Sequence, residues 1–176
     1  MADEIRIQLP PTKEQLAGLR AGDKCLLSGF MYTLRDPGHM RLIEELHQQG
    51  SLPYGLDGQV IFYAGPSPAS AGRPFGAIGP TTSSRMDFAA PELYREGIVA
   101  TVGKGHRSAE VVEAIKETGS VYFAAVGGAA AALAKCIVSE ELIAYEDLGT
   151  EALRKIEVND LPVFVALDVN GTCLYV

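Results

Sequence analysis

The sequence predicts an α/β domain built on a mixed sheet, and three observations carry that reading. Strand-like apolar runs alternate with amphipathic helical segments along the chain, the pattern of a layered α/β protein. Val121–Val126 is continuously apolar, as in a strand buried on both faces. Near the end, Asn170-Gly171 separates Val163–Asp168 from Thr172–Val176, a hairpin signal that requires an antiparallel pair. At 176 residues the chain has the size of one domain, 1–176, with enough apolar residues for a substantial core.

The elements follow in order. Thr12-Lys13-Glu14-Gln15 after Pro10-Pro11 reads as a capping box opening a short helix to Arg20. Ala21-Gly22-Asp23 turns the chain into a strand from Lys24 to Met31. Asp36 before Pro37 reads as an N-cap with proline at the first helical position. That helix carries Met40, Ile43 and Leu46 at helical spacing and stops near Gly50. Asp57-Gly58 leads into the strand Val60–Tyr63. Gly65–Pro74, with three prolines and two glycines, reads as a surface loop. Pro91–Gly97 is a short helix stopped by its glycine, followed by the strand Ile98–Val102. A helix from about Ser108 to Thr118 places Val111, Val112 and Ile115 on one face. After Val121–Val126, Gly127-Gly128 opens an alanine-rich helix, Ala129–Lys135. That glycine pair lacks the spacing of a P-loop or a dinucleotide fingerprint and reads as close helix–sheet packing.

Composition excludes several classes. A net charge of −7, from 22 acidic and 15 basic residues, argues against nucleic acid, which needs a basic face. The first residues are acidic where a signal peptide would be basic and then apolar. The longest apolar run, Val121–Ala134, is too short for a bilayer. A cytoplasmic protein without a membrane partner is expected. Cys25, Cys136 and Cys173 are separated singletons, which suggests reduced thiols packed as small hydrophobes rather than metal ligands.

The chemistry concentrates in two stretches. Gly79-Pro80-Thr81-Thr82-Ser83-Ser84-Arg85-Met86 stops one element and delivers four hydroxyls and a guanidinium, and Gly103-Lys104-Gly105 follows a strand. An N-cap hydroxyl explains one of these groups but not the set. Arginine grips a carboxylate bidentately and lysine adds a point charge, so a small anionic substrate fits. Arg35, at the mouth of the helix that contains His39, repeats the theme. A lone helical histidine by itself reads as structural.

Six segments in order resemble the β subunit, or C-terminal domain, of the class I iron–sulfur hydro-lyases, which include class I fumarases and L-tartrate dehydratase. They are Ser28-Gly29 with Arg35-Asp36-x-x-His39, Tyr63-Ala64-Gly65-Pro66, and Gly79-Pro80-Thr81-Thr82-x-x-Arg85-Met86-Asp87. Then come Gly103-Lys104-Gly105-x-x-Ser108, Gly127-Gly128-Ala129-Ala130-Ala131 and Ala144-Tyr145-Glu146-Asp147-Leu148-Gly149. The likeness runs from about Ile5 to the C-terminus.

The resemblance implies a three-layer β/β/α swivelling domain and reversible hydration of a C=C bond flanked by carboxylates. It implies a [4Fe–4S] cluster held by a partner α subunit and not by this chain. Arg35, Arg85 and Lys104 would grip and orient the carboxylates. Thr81 would act as the base, activated by an Asp of the partner, and Thr82 would contact substrate or hold Thr81. Ser83, Asp36 and His39 would stand behind these groups, with Asp36 orienting Arg35 and capping its helix. The Pro37-Gly38, Ser84 and His106 positions depart from the common family residues, and Ser84 and His106 could add polar contacts. Fumarate is the first substrate implied and tartrate the second. A non-catalytic anion-binding or assembly module is the alternative from another class.

Overall fold

The computed structural model describes residues 3–67, 76–125 and 130–175. Seven strands and five α-helices follow in the order β1 (Ile5–Leu9), α1 (Lys13–Ala17), β2 (Lys24–Thr33), α2 (Asp36–Gln49), β3 (Val60–Phe62), α3 (Ala90–Glu96), β4 (Ala100–Gly103), α4 (Ala109–Thr118), β5 (Val121–Ala125), α5 (Ala130–Ala134), β6 (Ile137–Ala144) and β7 (Leu153–Leu167). Two 3-10 turns, Ser83–Met86 and Glu146–Glu151, precede α3 and β7.

The sheet is mixed. Its order is β1-β2-β3-β4-β5-β7-β6, and β2 also pairs with β7. The pairs from β1 to β5 are parallel, whereas β7 is antiparallel to β2, β5 and β6. Pairing therefore closes a circuit through β2, β3, β4, β5 and β7, leaving β1 and β6 at its margins. The two long strands make this possible by changing neighbours along one edge: β2 from β1 to β3, and β7 from β6 to β5.

Strand alternation sorts the core into two clusters. Val60, Phe62, Val102, Phe123, Val163 and Val165 join Met31 and Ile156 in one of them. Ile61, Tyr63 and Tyr122 turn the other way, onto Leu42 and Leu46 of α2, Leu93 and Tyr94 of α3, and Val111 and Ile115 of α4. The result is an α/β domain on one mixed sheet, with α2, α3 and α4 packed on the second cluster and Leu16 of α1 and Leu133 of α5 in the first.

Local chemistry sets the ends. Thr12 and Gln15 form the expected capping box of α1, which ends at Gly18 rather than Arg20. Ser108 caps α4 by accepting from the Val111 amide, and Gly50 and Gly119 close α2 and α4 in the left-handed conformation.

Several expectations change. Arg35, not Asp36, is the N-cap of α2, and no side chain bonds there, because the Asp36 carboxylate is engaged elsewhere. Met40 is exposed, and the buried stripe of α2 is His39, Leu42 and Leu46. Asn170-Gly171 does reverse the chain, but the return is one antiparallel bridge, Leu167↔Cys173, rather than a strand. Asp168 holds that reversal by accepting from the amides of Asn170 and Thr172. The Gly127-Gly128 turn and most of the Gly65–Pro74 loop lie outside the described residues. No helix among the described residues is long and apolar enough to cross a membrane.

Candidate active site at the carboxyl ends of the parallel strands

β2, β3 and β4 are parallel neighbours and end on one side of the sheet, at Thr33, Phe62 and Gly103. Arg35, Tyr63–Pro66 and Lys104 follow these ends directly. The Thr81–Arg85 segment is laid against the same ends by backbone bonds. The Thr81 amide donates to the Tyr63 carbonyl at 2.7 Å, and the Ser83 amide to the Lys104 carbonyl at 2.9 Å. Thr82 and Lys104 form a parallel bridge.

Ser83 is the buried rivet of this join. Its Oγ accepts from the Lys104 amide at 3.0 Å and from the Tyr122 hydroxyl at 2.8 Å. The fit explains the glycine before Lys104, since a Cβ on Gly103 would stand 1.9 Å from Ser83 Oγ and 3.0 Å from Tyr63 Cδ2. The first glycine of Gly103-Lys104-Gly105 is thus required by packing.

The three predicted cations meet different neighbours. Arg85 Nε donates to Asp36 Oδ2 at 2.8 Å, joining the 3-10 turn to the start of α2. Asp36 therefore orients Arg85, where the sequence suggested Arg35. Arg35 instead points an Nη toward Glu151 at 3.3 Å, and its stem lies across Gly65, whose added Cβ would meet Arg35 Cδ at 2.7 Å. Lys104 is exposed, and its ammonium has no acid partner among the described residues. Arg85 is half exposed, at 51% of its side chain. The hydroxyls of Thr81 and Thr82 make no hydrogen bond among the described residues.

Beneath the cations lies a buried layer. His39 is fully buried, its Nδ1 2.8 Å from the Arg35 carbonyl and its ring edge-on to Tyr63. Burial pushes its pKa down to about 4, helped by the nearby Arg107 charge and opposed by the Arg35 carbonyl. A neutral imidazole donating from Nδ1 fits this site. His39 Nδ1 holds the backbone of Arg35, and its buried Nε2 has no partner among the described residues.

Arg107 and Asp87 form the other part of that layer. Arg107 Nε donates to Asp87 Oδ1 at 2.7 Å, and its two Nη reach Thr101 Oγ1 and the Tyr63 hydroxyl at 3.2 and 3.1 Å. Asp87 Oδ2 accepts from the Ser108 amide at 2.6 Å. Burial works against the Arg107 charge, but Tyr63, Tyr94 and Asp87 outweigh it and raise its pKa. Sequence reading assigned no role to Arg107, Asp87 or Glu151. A cation directly before a helix N-terminus is disfavoured by the helix dipole unless an acid pairs with it, and that was the available signal for Arg107. Glu151 reaches Arg35 from far along the chain and left no local pattern.

The three cysteines do not gather as ligands among the described residues. Cys25 is buried, Cys136 half-buried and Cys173 exposed, all as free thiols. Burial pushes the Cys25 thiol up to about 12, with the Asp23 charge adding to the shift. Among the described residues no three His, Cys, Asp or Glu side chains group as metal ligands. A hollow between α3 and α4 is lined by Asp87, Glu110 and Glu113 against one arginine, Arg95, which is already paired with Glu117.

Comparison with known proteins gives the family of the chain. The profile of the Fumarase C-terminus family matches residues 1–176. Fumarate hydratase 2 of Leishmania major is 34% identical over 175 residues, covering 98% of this chain and 31% of that protein. The aerobic class I fumarate hydratase of Escherichia coli strain K12 is 37% identical, covering 96% and 32%. The chain thus spans about a third of the length of these relatives. A Methanocaldococcus jannaschii protein, provisionally named L(+)-tartrate dehydratase subunit beta, is 36% identical over 93% of this chain and 87% of its own length. With the profile matched from end to end, the chain belongs to the Fumarase C-terminus family.

Proposed function

We propose that this chain is the β subunit of a two-subunit hydro-lyase that reversibly hydrates fumarate to L-malate. The observation that carries the reading is the gathering of Arg35, Arg85, Lys104 and Thr81 at the ends of β2, β3 and β4. In the proposed complex a [4Fe–4S] cluster on the α subunit supplies a Lewis acid for the substrate hydroxyl. This chain supplies the rest of the grip. Arg35 and Arg85 receive the two carboxylates, and Lys104, already without an acid partner, adds a third charge.

Thr81 is the proton-carrying group at the substrate carbon in this reading. A threonine hydroxyl is a poor base alone, so it needs a neighbour from outside the chain to take its proton. Its lack of any hydrogen bond among the described residues leaves it free for such a neighbour. The half-exposure of Arg85 supports the same division of labour. An ion pair in open water contributes only about 0–1 kcal/mol, so a strong carboxylate clamp requires a second surface to cover it.

A tartrate dehydratase β subunit is the second reading, favoured by the near full-length match to the archaeal relative. Anaerobic reconstitution with a cluster-bearing α subunit separates the two. Absorbance is followed with fumarate, L-malate and the tartrate isomers, each chain alone as control. Fumarate hydration in the mixture alone is the expected result. Turnover of tartrate only would move the second reading to the front. Silence on every substrate, with complex formed and cluster intact, would overturn both in favour of an assembly module.

A further inference from the structure

Arg107 is the most completely enclosed charge in the ion pairs of the described residues, with 0% of its side chain exposed against 12% for Asp87. Such a group must be held by partners on every side. Three of its partners, Asp87, Tyr63 and Tyr122, are informative because each also touches or adjoins the Thr81–Arg85 segment. Asp87 directly follows the 3-10 turn that carries Arg85, and its amide caps that turn. Tyr63, which receives an Arg107 Nη, also receives the Thr81 amide on its carbonyl. Tyr122 lies with its ring 4.7 Å from the guanidinium carbon, and its hydroxyl reaches Ser83 Oγ and the Gly105 carbonyl. Arg107 itself stands three residues after Lys104 in the same loop.

We propose that Arg107 is a positioning residue: its buried guanidinium, braced on Asp87, Tyr63 and Tyr122, fixes the spacing between the Thr81–Arg85 turn and the Lys104 loop. This rests on the hydro-lyase reading above. The planar fork matters as much as the charge, because Nε and both Nη serve three different segments: the end of the 3-10 turn, β4 and the end of β3. A lysine would keep the charge and lose two of the three attachments. Glutamine would lose the charge and leave Asp87 buried beside a neutral amide. The pair Asp87→Asn with Arg107→Gln removes both charges together and avoids an unpaired buried ion.

The test uses the assembled two-subunit enzyme, with Arg107→Lys and the Asp87→Asn/Arg107→Gln pair compared with Arg85→Ala. Arg35 still grips substrate in these variants, so the loss falls mainly on kcat and less on KM. A displacement of about 1 Å at a reacting centre costs on the order of a hundredfold, and a kcat loss of that size is expected for the neutral pair. Arg107→Lys should recover part of it. Amide hydrogen exchange in the same complexes gives a reading independent of turnover. Protection at Ser83, Lys104 and Ser108 should fall at least about tenfold in the neutral pair, while protection in β1 stays unchanged.

A neutral pair that turns over within threefold of the wild type, or that keeps its protection at Lys104 and Ser108, overturns the proposal. If Arg85→Ala is equally harmless, the hydro-lyase reading itself has failed. If Arg85→Ala is inactive and the neutral pair is not, only the brace has failed.

Discussion

Replacing Gly103 by alanine puts a methyl group 1.9 Å from Ser83 Oγ and 3.0 Å from Tyr63 Cδ2, both in the core. Neither neighbour is a loose side-chain end, so something fixed must move. Overpacking of this kind costs about 1–3 kcal/mol. Moving Ser83 also breaks its bonds to the Lys104 amide and the Tyr122 hydroxyl, adding about 1 kcal/mol each. Gly103→Ala should therefore cost about 3–5 kcal/mol, a large part of the 5–15 kcal/mol of an ordinary domain. Ser83→Ala alone strands the Lys104 amide, while Tyr122 keeps the Gly105 carbonyl, and about 1–2 kcal/mol follows.

The double variant is the decisive one. Removing Ser83 Oγ removes the worst overlap and leaves only the contacts near 3 Å. The double cost should fall below the sum of the single costs by about 2 kcal/mol, a coupling within the range of contacting residues. Urea unfolding of the four proteins, with a common slope, measures each term. Costs that simply add would refute the proposed wedge between Gly103 and Ser83.

Gly65→Ala meets the stem of Arg35, which can swing aside. It should cost under about 1 kcal/mol of stability yet raise KM in the assembled enzyme, and an unchanged KM would count against Arg35 as a clamp. Arg85→Ala removes a covered carboxylate contact, and kcat/KM should fall at least about a hundredfold. Steady-state rates within a few-fold of wild type would remove Arg85 from the site. His39 has a folded pKa of about 4 against an ordinary 6.5, so the unfolded chain takes its proton first as pH falls. Its stabilising contribution is full above about pH 6.5 and is lost on the way down to pH 4, by about 3 kcal/mol at most. His39→Gln should flatten the stability–pH curve over that window, measured by urea midpoints, and equal slopes would refute the assignment.

Helices α2–α4 and strands β2–β5 were legible because capping residues, glycine stops and apolar runs act locally. The same locality placed Thr81, Arg85 and Lys104 at chain reversals. β1 went unassigned although Ile5, Ile7 and Leu9 alternate with Arg6 and Gln8, since five residues beside two prolines make a weak strand signal. β6 exposes five of its eight residues in a row, so it shows no period. The first half of β7 was hidden by Asn159-Asp160 and Pro162. Asp160 takes a positive φ of 51° where the ladder with β2 shifts register, and proline is tolerated beside such a bulge. The pairing of Asp36 with Arg85 rather than Arg35, and of Arg35 with Glu151, depends on tertiary approach. No spacing along the chain encodes it.

The closed strand circuit has a consequence for how copies of this chain meet one another. A sheet normally offers two open flanks on which an identical strand can dock, and that is a route to aggregation. Here five strands have both flanks occupied for at least part of their length, and among the described residues only β1 and β6 face outward. β6 carries Glu140 and Glu141 on its exposed stretch, and β1 carries Arg6, tied across to Asp160. Like charges would oppose each other if two β6 strands paired side by side. The domain can thus keep the polar ends of its parallel strands open without inviting self-assembly along its sheet.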